Sequence, residues 1–188
     1  MPISSRELKH FLSNAFVECG SASGLGISSA LAAGFPAVYS VEIDPDNYAI
    51  CQTAFKDFPQ VHLANADCGK WLGPTLQKID QPCTVYLDAN GWKHEVESPF
   101  HSSVRSMLSY GENDHLLLVD DINHGMRERK ELLRDLRTSD MVWQLRRINP
   151  DYHFYLIDTQ SEDGTTTYPS WVLVADLVKD RFPNTEYV

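Results

Sequence analysis

Residues 15–26 read Ala-Phe-Val-Glu-Cys-Gly-Ser-Ala-Ser-Gly-Leu-Gly, and this stretch decides the fold of the chain. A short apolar run meets Gly20, which predicts a buried strand that enters a tight turn. The small residues that follow let the backbone approach a ligand closely where a helix begins. Residues 27–33 are small or apolar and predict a helix, which ends at Gly34. The sequence therefore predicts a strand, a ligand-binding loop and a helix, in that order.

The rest of the chain continues this alternation. Apolar runs typical of strands occupy residues 15–19, 37–43, 61–64, 84–87, 115–119, 152–158 and 171–176. Helical patterns occupy residues 27–33, 46–57, 98–109, 127–137 and 139–148. This order predicts a parallel sheet with helices on both faces, and the last two strands, separated by a polar stretch only, predict an antiparallel hairpin at one edge. We therefore expect an α/β fold: a Rossmann-like, doubly wound sheet of seven mostly parallel strands with a C-terminal antiparallel β-hairpin.

Composition narrows the class of protein further. The 188 residues carry 16 Lys and Arg against 26 Asp and Glu, a formal net charge of −10. This excess of acids argues against nucleic acid or an anionic membrane as the partner, because both reward clustered positive charge. We expect a single domain over residues 1–188, with no separate lid or substrate domain, since no linker divides the sequence.

The sequence lacks membrane or secretion segments and paired cysteines, and these absences predict the location of the protein and the redox state of its cysteines. No apolar run reaches ~18 residues, and residues 1–10 lack a signal-peptide core, so a cytoplasmic protein is expected. None of the cysteines forms a C-x-x-C pair, which predicts free thiols that are buried or partly buried. The cysteines are Cys19, Cys51, Cys68 and Cys83.

Ligands of open α/β sheets bind beyond the carboxyl ends of the strands, so the residues at those ends are the candidate site. A dinucleotide fingerprint G-x-G-x-x-G counted from Gly20 meets Ala22 and Leu25 at its second and third glycine positions, which makes NAD a weak fit. Glu42 nevertheless lies 22 residues after Gly20, about where an acid that binds a ribose belongs. An NAD-type oxidoreductase therefore stays as a less favoured alternative.

The sequence resembles the class I S-adenosylmethionine-dependent methyltransferases. Their first motif is an acid followed by small residues at alternate positions, E/D-x-G-x-G-x-G, and this chain matches it at Glu18, Gly20 and Gly24 but departs from it at Ala22. Val-Glu-Ile-Asp-Pro at residues 41–45 resembles the second motif, an acid that closes the second strand. Asn-Ala-Asp-Cys at residues 65–68 resembles the third, and the late hairpin resembles the family's sheet edge.

The resemblance implies a role for each acid toward S-adenosyl-L-methionine. Glu18 would lie near the methionine amino group, Glu42 would accept hydrogen bonds from the ribose hydroxyls, and Asp67 would reach the adenine amino group. Each acid would thus face a donor or a positive group of the cofactor. The full set of candidate cofactor-binding residues is Glu18, Gly20, Ser21, Ala22, Gly24, Glu42, Ile43, Asp67, Cys68 and Asp88.

Three further acids close neighbouring strands. Asp88 ends the fourth strand, and Asp120 and Asp121 end the fifth. Adjacent strands lie about 4.8 Å apart, so these carboxylates can converge and would then need a cation, a proton or separation. Oxygen ligands suit Mg²⁺, Ca²⁺ or Mn²⁺, which predicts a metal site. Since successive side chains of a strand point to opposite faces, the alternative is that Asp121 caps the following helix.

This arrangement resembles the metal-dependent O-methyltransferases of the catechol and macrolide-sugar types. The macrolide-sugar type carries a His two residues after the fourth-strand acid, where this chain has Asn90. His124, Lys93 and His94 are therefore the nearby candidates for the proton acceptor, and Asp88 is a further candidate catalytic residue. A solvated loop position is the alternative for His124.

The sequence thus predicts transfer of a methyl group from S-adenosylmethionine to a hydroxyl of a small molecule or sugar, with help from a divalent metal. The alternative from another class is a catalytically silent module that binds S-adenosylmethionine or a nucleotide on the same fold. Only 14 residues precede the first predicted strand, which leaves little chain for a lid. Either a large substrate or a second subunit, as in a homodimer, would then close the site.

Overall fold

The computed structural model describes residues 3–89, 98–111, 114–122, 138–182 and 187–188. The strands are β1 (Phe16–Cys19), β2 (Val38–Glu42), β3 (Val61–Asn65), β4 (Thr84–Leu87), β5 (Leu116–Val119), β6 (His153–Gln160) and β7 (Thr167–Asp176). The helices are α1 (Ser5–Leu8), α2 (Leu25–Ala33), α3 (Pro45–Ala54), α4 (Cys68–Ile79), α5 (Pro99–Tyr110) and α6 (Thr138–Ile148), and a short 3₁₀ turn, Lys9–Phe11, follows α1.

Within these ranges the seven strands form one sheet in the order β3-β2-β1-β4-β5-β7-β6. The first five are parallel, and β7 runs antiparallel to both β5 and β6. Every residue of β1, β4 and β5 is buried, as expected for parallel strands that are covered on both faces. The predicted α/β class, the parallel sheet and the antiparallel C-terminal hairpin are confirmed.

Alternate residues of the strands belong to two separate hydrophobic clusters, one on each face of the sheet. Phe16 packs into the first cluster, and its neighbour Val17 packs into the second. The first cluster is covered by α1, α2 and α3 through Leu8, Ile27, Ala30 and Cys51. The second is covered by α4, α5 and α6 through Leu72, Leu76, Val104, Met107, Met141 and Leu145. The sheet is therefore doubly wound, and both faces of its carboxyl edge carry helix N-termini.

Helix α4 is absent from the sequence-based prediction, because Gly69, Gly73 and Pro74 argue against a helix there. The structure explains both glycines. A Cβ on Gly69 would lie 2.6 Å from Cβ of Ser102, and a Cβ on Gly73 would lie 2.2 Å from the ring of Tyr110. The missing side chains are what allow α5 to pack closely on α4.

The two strands of the hairpin are longer than predicted, so the polar connection between them shrinks to residues 161–166. The hairpin lies at one edge of the sheet, as predicted, with β6 as the outermost strand. The predicted helix over residues 127–137 lies outside the described residues. All four cysteines are free and buried, as predicted. Among the helices that the structure describes, none is long and apolar enough to cross a membrane.

Candidate cofactor-binding site at the carboxyl edge of the sheet

The candidate site lies where the order of the strands reverses. From β1 the chain passes to β2 and β3 on one side, whereas β4 and β5 lie on the other side. Such a switch point leaves a crevice beyond the carboxyl ends of the central strands, and ligands of this architecture bind there. The loop after β1 starts at this point, with Gly20 beside the end of β4.

Gly20 is required by a close approach between backbones. Its φ is +95°, and a Cβ there would lie 2.9 Å from the carbonyl oxygen of Asp88 and from Cα of Ala89. The backbone N–H groups of Gly20 and Ser21 donate to the carbonyl of Val41, at 2.9 and 3.3 Å. The loop is therefore anchored to β2 on one side and rests against the end of β4 on the other.

The next turn of the loop is closed by a hydrogen bond of 2.7 Å from the N–H of Gly24 to the carbonyl of Ser21. Inside this turn Ala22 has a φ of +43°, in the left-handed region that favours glycine. Ala22 thus stands where the motif that the sequence resembles has glycine, and it adopts a conformation that glycine adopts without strain. Gly24 has a φ of +87° and precedes α2, and a Cβ there would lie 2.5 Å from the ring of Phe55.

Glu42 ties this loop to the second strand. Its Oε2 accepts the backbone N–H of Ala22 at 2.8 Å, and its Oε1 accepts the backbone N–H of Asp44 at 2.9 Å. Each carboxylate oxygen has a second lone pair, so the group can still accept two hydroxyl donors. The sequence predicts Glu42 as an acceptor for ribose, but it does not reveal that the same carboxylate positions the loop.

Two residues outside the predicted set of cofactor-binding residues support the site, one of them, Asn65, in the stretch that resembles the third motif. The side-chain amide of Asn65 donates to the carbonyl of Glu42 at 2.8 Å and to that of Ile43 at 3.3 Å. The thiol of Cys51, in α3, donates to the carbonyl of Ala22 at 3.4 Å. The position of Asn65 at the end of β3, next to β2, could have predicted its contact with Glu42. Nothing in the sequence predicts the contact of Cys51 with Ala22, because the packing of α3 alone brings the two residues together.

Beside Glu42 the site combines an apolar and a polar surface. Ile43 is 50% exposed directly after the strand, although it is a large apolar side chain. Asp67 is partly exposed and stands at the N-cap position of α4, so its carboxylate is available at the edge of the same crevice. Cys68 follows it as the first residue of α4 and is buried.

Glu18 is buried beneath the start of α2 and does not line an open surface. It accepts a hydrogen bond of 2.5 Å from Ser40 Oγ, and its Oε1 would lie 1.9 Å from a Cβ on Gly26. Burial raises the pKa of Glu18 to about 8, and the hydrogen bond from Ser40 opposes this only in part. Gly26 is therefore needed to make room for the carboxyl group.

A second group of acids lies at the ends of β4 and β5. The Tyr86 hydroxyl donates to Oδ2 of Asp120, and Oδ1 of Asp120 accepts the backbone N–H of Asp121 at 2.7 Å. Burial and the charge of Asp121 raise the pKa of Asp120 to about 7. Removal from water, followed by the charge of Asp120, raises the pKa of Asp88 well above its usual range.

The predicted metal site of Asp88, Asp120 and Asp121 is not supported by this geometry. The part of the chain that the structure describes contains no group of three or more His, Cys, Asp or Glu side chains placed to hold a metal ion. The physical reason is that Asp120 is turned toward Tyr86 and the backbone, while Asp121 has a left-handed backbone with a φ of +60°. Lys93 and His124, the predicted proton acceptors, lie outside the described residues.

No protein-family model matches the chain, and no curated protein matches its sequence. Solved structures do match. An O-methyltransferase from Bacillus cereus in complex with SAH (S-adenosylhomocysteine) has a TM-score of 0.57 at 12% identity, covering 92% of this chain and 78% of that one. The N-methyltransferase NodS from Bradyrhizobium japonicum has a TM-score of 0.55 at 10% identity, covering 91% and 94%.

An rRNA methylase from Streptococcus thermophilus has a TM-score of 0.52 at 11% identity, covering 93% of this chain and 94% of that one. The chain thus has the Rossmann-like fold of the class I S-adenosylmethionine-dependent methyltransferases. The names of these three proteins refer to O-methyl, N-methyl and rRNA chemistry, so the fold by itself does not select an acceptor.

Proposed function

We propose that this chain is an S-adenosylmethionine-dependent methyltransferase. The observation that carries the proposal is the hydrogen bond between Ala22 and Glu42, which fixes the small-residue loop after β1 to the acid that closes β2. The loop supplies close backbone approach, and the acid supplies acceptors for two hydroxyls. A dinucleotide site of the G-x-G-x-x-G type would need glycines where this chain has Ala22 and Leu25.

The residues present fit this cofactor part by part. Glu42 has lone pairs for the ribose hydroxyls, the exposed side chain of Ile43 offers an apolar surface to the adenine ring, and Asp67 offers an acceptor to its amino group. The crevice beyond the carboxyl ends of β1 and β4 would then receive the methionine part, close to Gly20 and Asp88. When bound, the cofactor supplies a methyl group on a positively charged sulfur.

The charge of the site supports a cationic cofactor. Asp88 and Asp120 are both removed from water, and the charge of Asp120 raises the pKa of Asp88 while the charge of Asp121 raises the pKa of Asp120. A positive group beside them would therefore lower both pKa values. The net charge of −10 fits this preference and disfavours a polyanionic acceptor.

For the acceptor we propose a hydroxyl of a small molecule or sugar. A hydroxyl must lose its proton as it is methylated, and the sequence predicts Lys93 and His124 as the groups that accept it. Assistance by a divalent metal also remains a prediction, and the described carboxylates do not support it.

Ligand binding tests the proposal directly. We expect S-adenosylhomocysteine to raise the melting temperature of the protein and to bind in calorimetry, while NAD at the same millimolar concentration does neither. Binding of NAD in preference to S-adenosylhomocysteine would contradict the proposal and favour the oxidoreductase. If neither ligand binds, the proposed cofactor site is contradicted.

Activity requires a second measurement, because a silent binding module also binds S-adenosylhomocysteine. Incubation with S-adenosylmethionine that carries a labelled methyl group, against a panel of sugars, catechols and small amines, separates the two functions. Label on a hydroxyl supports the proposal. Label only on amines would retain the methyltransferase and overturn the choice of acceptor.

A further inference from the structure

The two lateral edges of the sheet differ in how they are protected. At β6 the end of the chain covers part of the strand, because Tyr187 forms an antiparallel bridge with Tyr155. Next to this bridge the backbone N–H of Val188 donates to the carbonyl of Phe154 at 2.9 Å. Strand β6 also contains Asp158, and its pairing with β7 is irregular at that residue. A covering segment, a charged side chain and an irregular register all discourage a further strand from pairing with an edge.

The opposite lateral edge is formed by β3, which reads Val-His-Leu-Ala-Asn and carries no Asp, Glu, Lys, Arg or Pro. Among the described strands it pairs with β2 alone. The carbonyl of Gln60 accepts the N–H of Val38 at 2.9 Å. The N–H of Ala66 donates to the carbonyl of Glu42 at 3.1 Å. Residues of a parallel strand bond alternately to its two sides, so the N–H and C=O groups of Leu63 point away from β2 and can bond a further strand.

Apolar residues around β3 remain exposed. Each residue of β3 is at least partly exposed, whereas every residue of the parallel strands β1, β4 and β5 is buried. Helix α3, which connects β2 to β3 and is described in full, buries only Cys51, and its Ile50 is 53% exposed. Phe58, in the turn that leads into β3, is 41% exposed. Parallel strands normally lie between two covering layers, so the cover of β3 is incomplete within the described part of the chain.

We propose that β3 is a dimerisation edge, at which the β3 strand of a second copy of this chain pairs antiparallel to it across a two-fold axis. The outward backbone groups of one strand are both donors and acceptors, so they are complementary to the same groups of an identical strand after a two-fold rotation. The net charge of −10 keeps two copies apart wherever their acids meet. Strand β3 brings no such charge to the pairing.

Charge at the two ends of β3 also favours a second copy. Lys56 and Asp57 lie before the strand, and Asp67 and Lys70 lie after it. An antiparallel pair brings the start of β3 in one copy beside its end in the other, where a base of either copy can pair with an acid of its partner. A standard interface buries about 800 Å² per partner, from roughly 20 residues or more. Helix α3, the turn and β3 together span residues 45–65, which is a segment of about that size.

The proposed dimer does not depend on the proposed function, and it would leave both candidate sites open. In an antiparallel pair the carboxyl ends of the two β3 strands point in opposite directions. The crevices beyond the carboxyl ends of β1 and β4, which run parallel to β3 within each sheet, would therefore lie at opposite ends of the dimer. A second subunit bound in this way would not close the site, in contrast to the expectation from the sequence.

Sedimentation velocity of the full chain across the micromolar range tests the proposal. We expect the wild type to sediment as a dimer that dissociates on dilution. His62→Glu introduces a charge at an exposed position of β3 in each copy, so it is expected to weaken dimerisation by at least tenfold. His153→Glu is the matched control, because both histidines lie in edge strands against a tyrosine ring, that of Tyr39 for His62 and that of Tyr187 for His153. This control is expected to dimerise like the wild type.

Hydrogen exchange of the wild-type protein gives a readout that does not depend on how either variant folds. The peptide that contains Leu63 is expected to exchange more slowly at high than at low protein concentration, while peptides of β6 exchange equally at both. A monomer at every concentration would overturn the proposal and leave the β3 edge to a different protein. Equal dissociation of both variants, or protection of β6 in place of β3, would overturn it as well. Since the cofactor enters none of these measurements, their failure leaves the proposed function untouched.

Discussion

The backbone N–H of Ala22 donates a hydrogen bond of 2.8 Å to Oε2 of Glu42. The other oxygen of the same carboxylate accepts the N–H of Asp44 at 2.9 Å, so one side chain fixes both the loop after β1 and the turn after β2. Each oxygen of the carboxylate keeps a further lone pair that could accept a hydrogen bond from a ligand. The loop and the acid are thus one unit, and under the proposed function a change in either is expected to affect cofactor affinity and stability together.

Glu42→Gln tests this unit. A carboxamide offers only one oxygen, so its NH₂ group would face one of the two backbone N–H donors. We expect a loss of about 1–3 kcal/mol in the free energy of unfolding and at least a tenfold loss of affinity for S-adenosylhomocysteine. Denaturant unfolding and calorimetry measure the two effects.

Glu162→Gln is the matched control, because Glu162 also accepts a backbone N–H, that of Ser5 at 2.7 Å, but in the β6–β7 turn rather than at the carboxyl edge. It is expected to lower stability while leaving affinity within twofold. Equal loss of affinity in both variants would show that Glu42 acts through general destabilisation.

Ala22→Gly is expected to improve the site. The residue has a φ of +43°, which costs an alanine roughly 1 kcal/mol relative to glycine. Under the proposed function, removing the Cβ would also give the cofactor more room beside the loop, so both the melting temperature and the affinity for S-adenosylhomocysteine are expected to rise. Ala49→Gly, at an exposed position inside α3, is the control and is expected to lower stability by about 1 kcal/mol. A lower affinity of Ala22→Gly would mean that the Cβ contacts the ligand favourably.

The contrast between Glu42 and Gly69 shows what the sequence could predict. Glu42 closes an apolar run, and the topology of a parallel sheet alone brings such a residue to the ligand edge. Gly69 lies in α4, whose own residues disfavour a helix. This glycine is needed because Ser102 of α5 packs against it, and that contact cannot be seen in the sequence of α4. The strand ends were therefore predictable, whereas α4 was not.

The same limit applies to the acids of the site. The sequence correctly places Asp120 at a strand end, but the direction of its carboxylate depends on Tyr86, which lies on a neighbouring strand and donates to it. The described carboxylates do not support the predicted metal site for this reason, because the spacing of the acids along the chain says nothing about which oxygens are already hydrogen-bonded.

Glu18 predicts an unusual pH dependence of stability. Its pKa rises from an ordinary value of 4.5 to about 8 in the folded chain because of burial. Between these pH values the folded chain holds a proton that the unfolded chain has lost, so this group lowers the free energy of unfolding as pH rises. Glu18→Gln cannot titrate, so its stability relative to the wild type is expected to increase from pH 5 to pH 8, by up to about 1 kcal/mol per pH unit. Denaturant unfolding at several pH values measures this difference, and a constant difference would contradict the burial of a protonated carboxyl group.

Tyr86→Phe tests the partner of Asp120. The Tyr86 hydroxyl donates to the carboxylate and so favours its charged form, which means that its removal is expected to raise the pKa of Asp120 above about 7. Carbon NMR of the carboxyl groups measures that titration.

Tyr152→Phe is the control for this variant, because its buried hydroxyl donates to the carbonyl of His115 at 2.6 Å, remote from Asp120. It is expected to lower stability while leaving the titration of Asp120 unchanged. The same displacement of the Asp120 titration in both variants would exclude a specific effect of Tyr86.

His115 predicts a loss of stability in acid. Its ring is buried at the start of β5, where Nδ1 accepts the backbone N–H of Cys83 at 3.1 Å and therefore carries no proton. Burial lowers the pKa of His115 in the folded chain. Below pH ~6.5, the ordinary pKa of histidine, the unfolded chain therefore binds a proton that the folded chain does not. The free energy of unfolding consequently decreases as the pH is lowered. His115→Asn retains an acceptor near the position of Nδ1 but does not titrate. Unfolding between pH 5 and pH 7 is expected to show this acid-induced loss in the wild type and a smaller loss in the variant, whereas an equal loss in both would assign the effect to other groups.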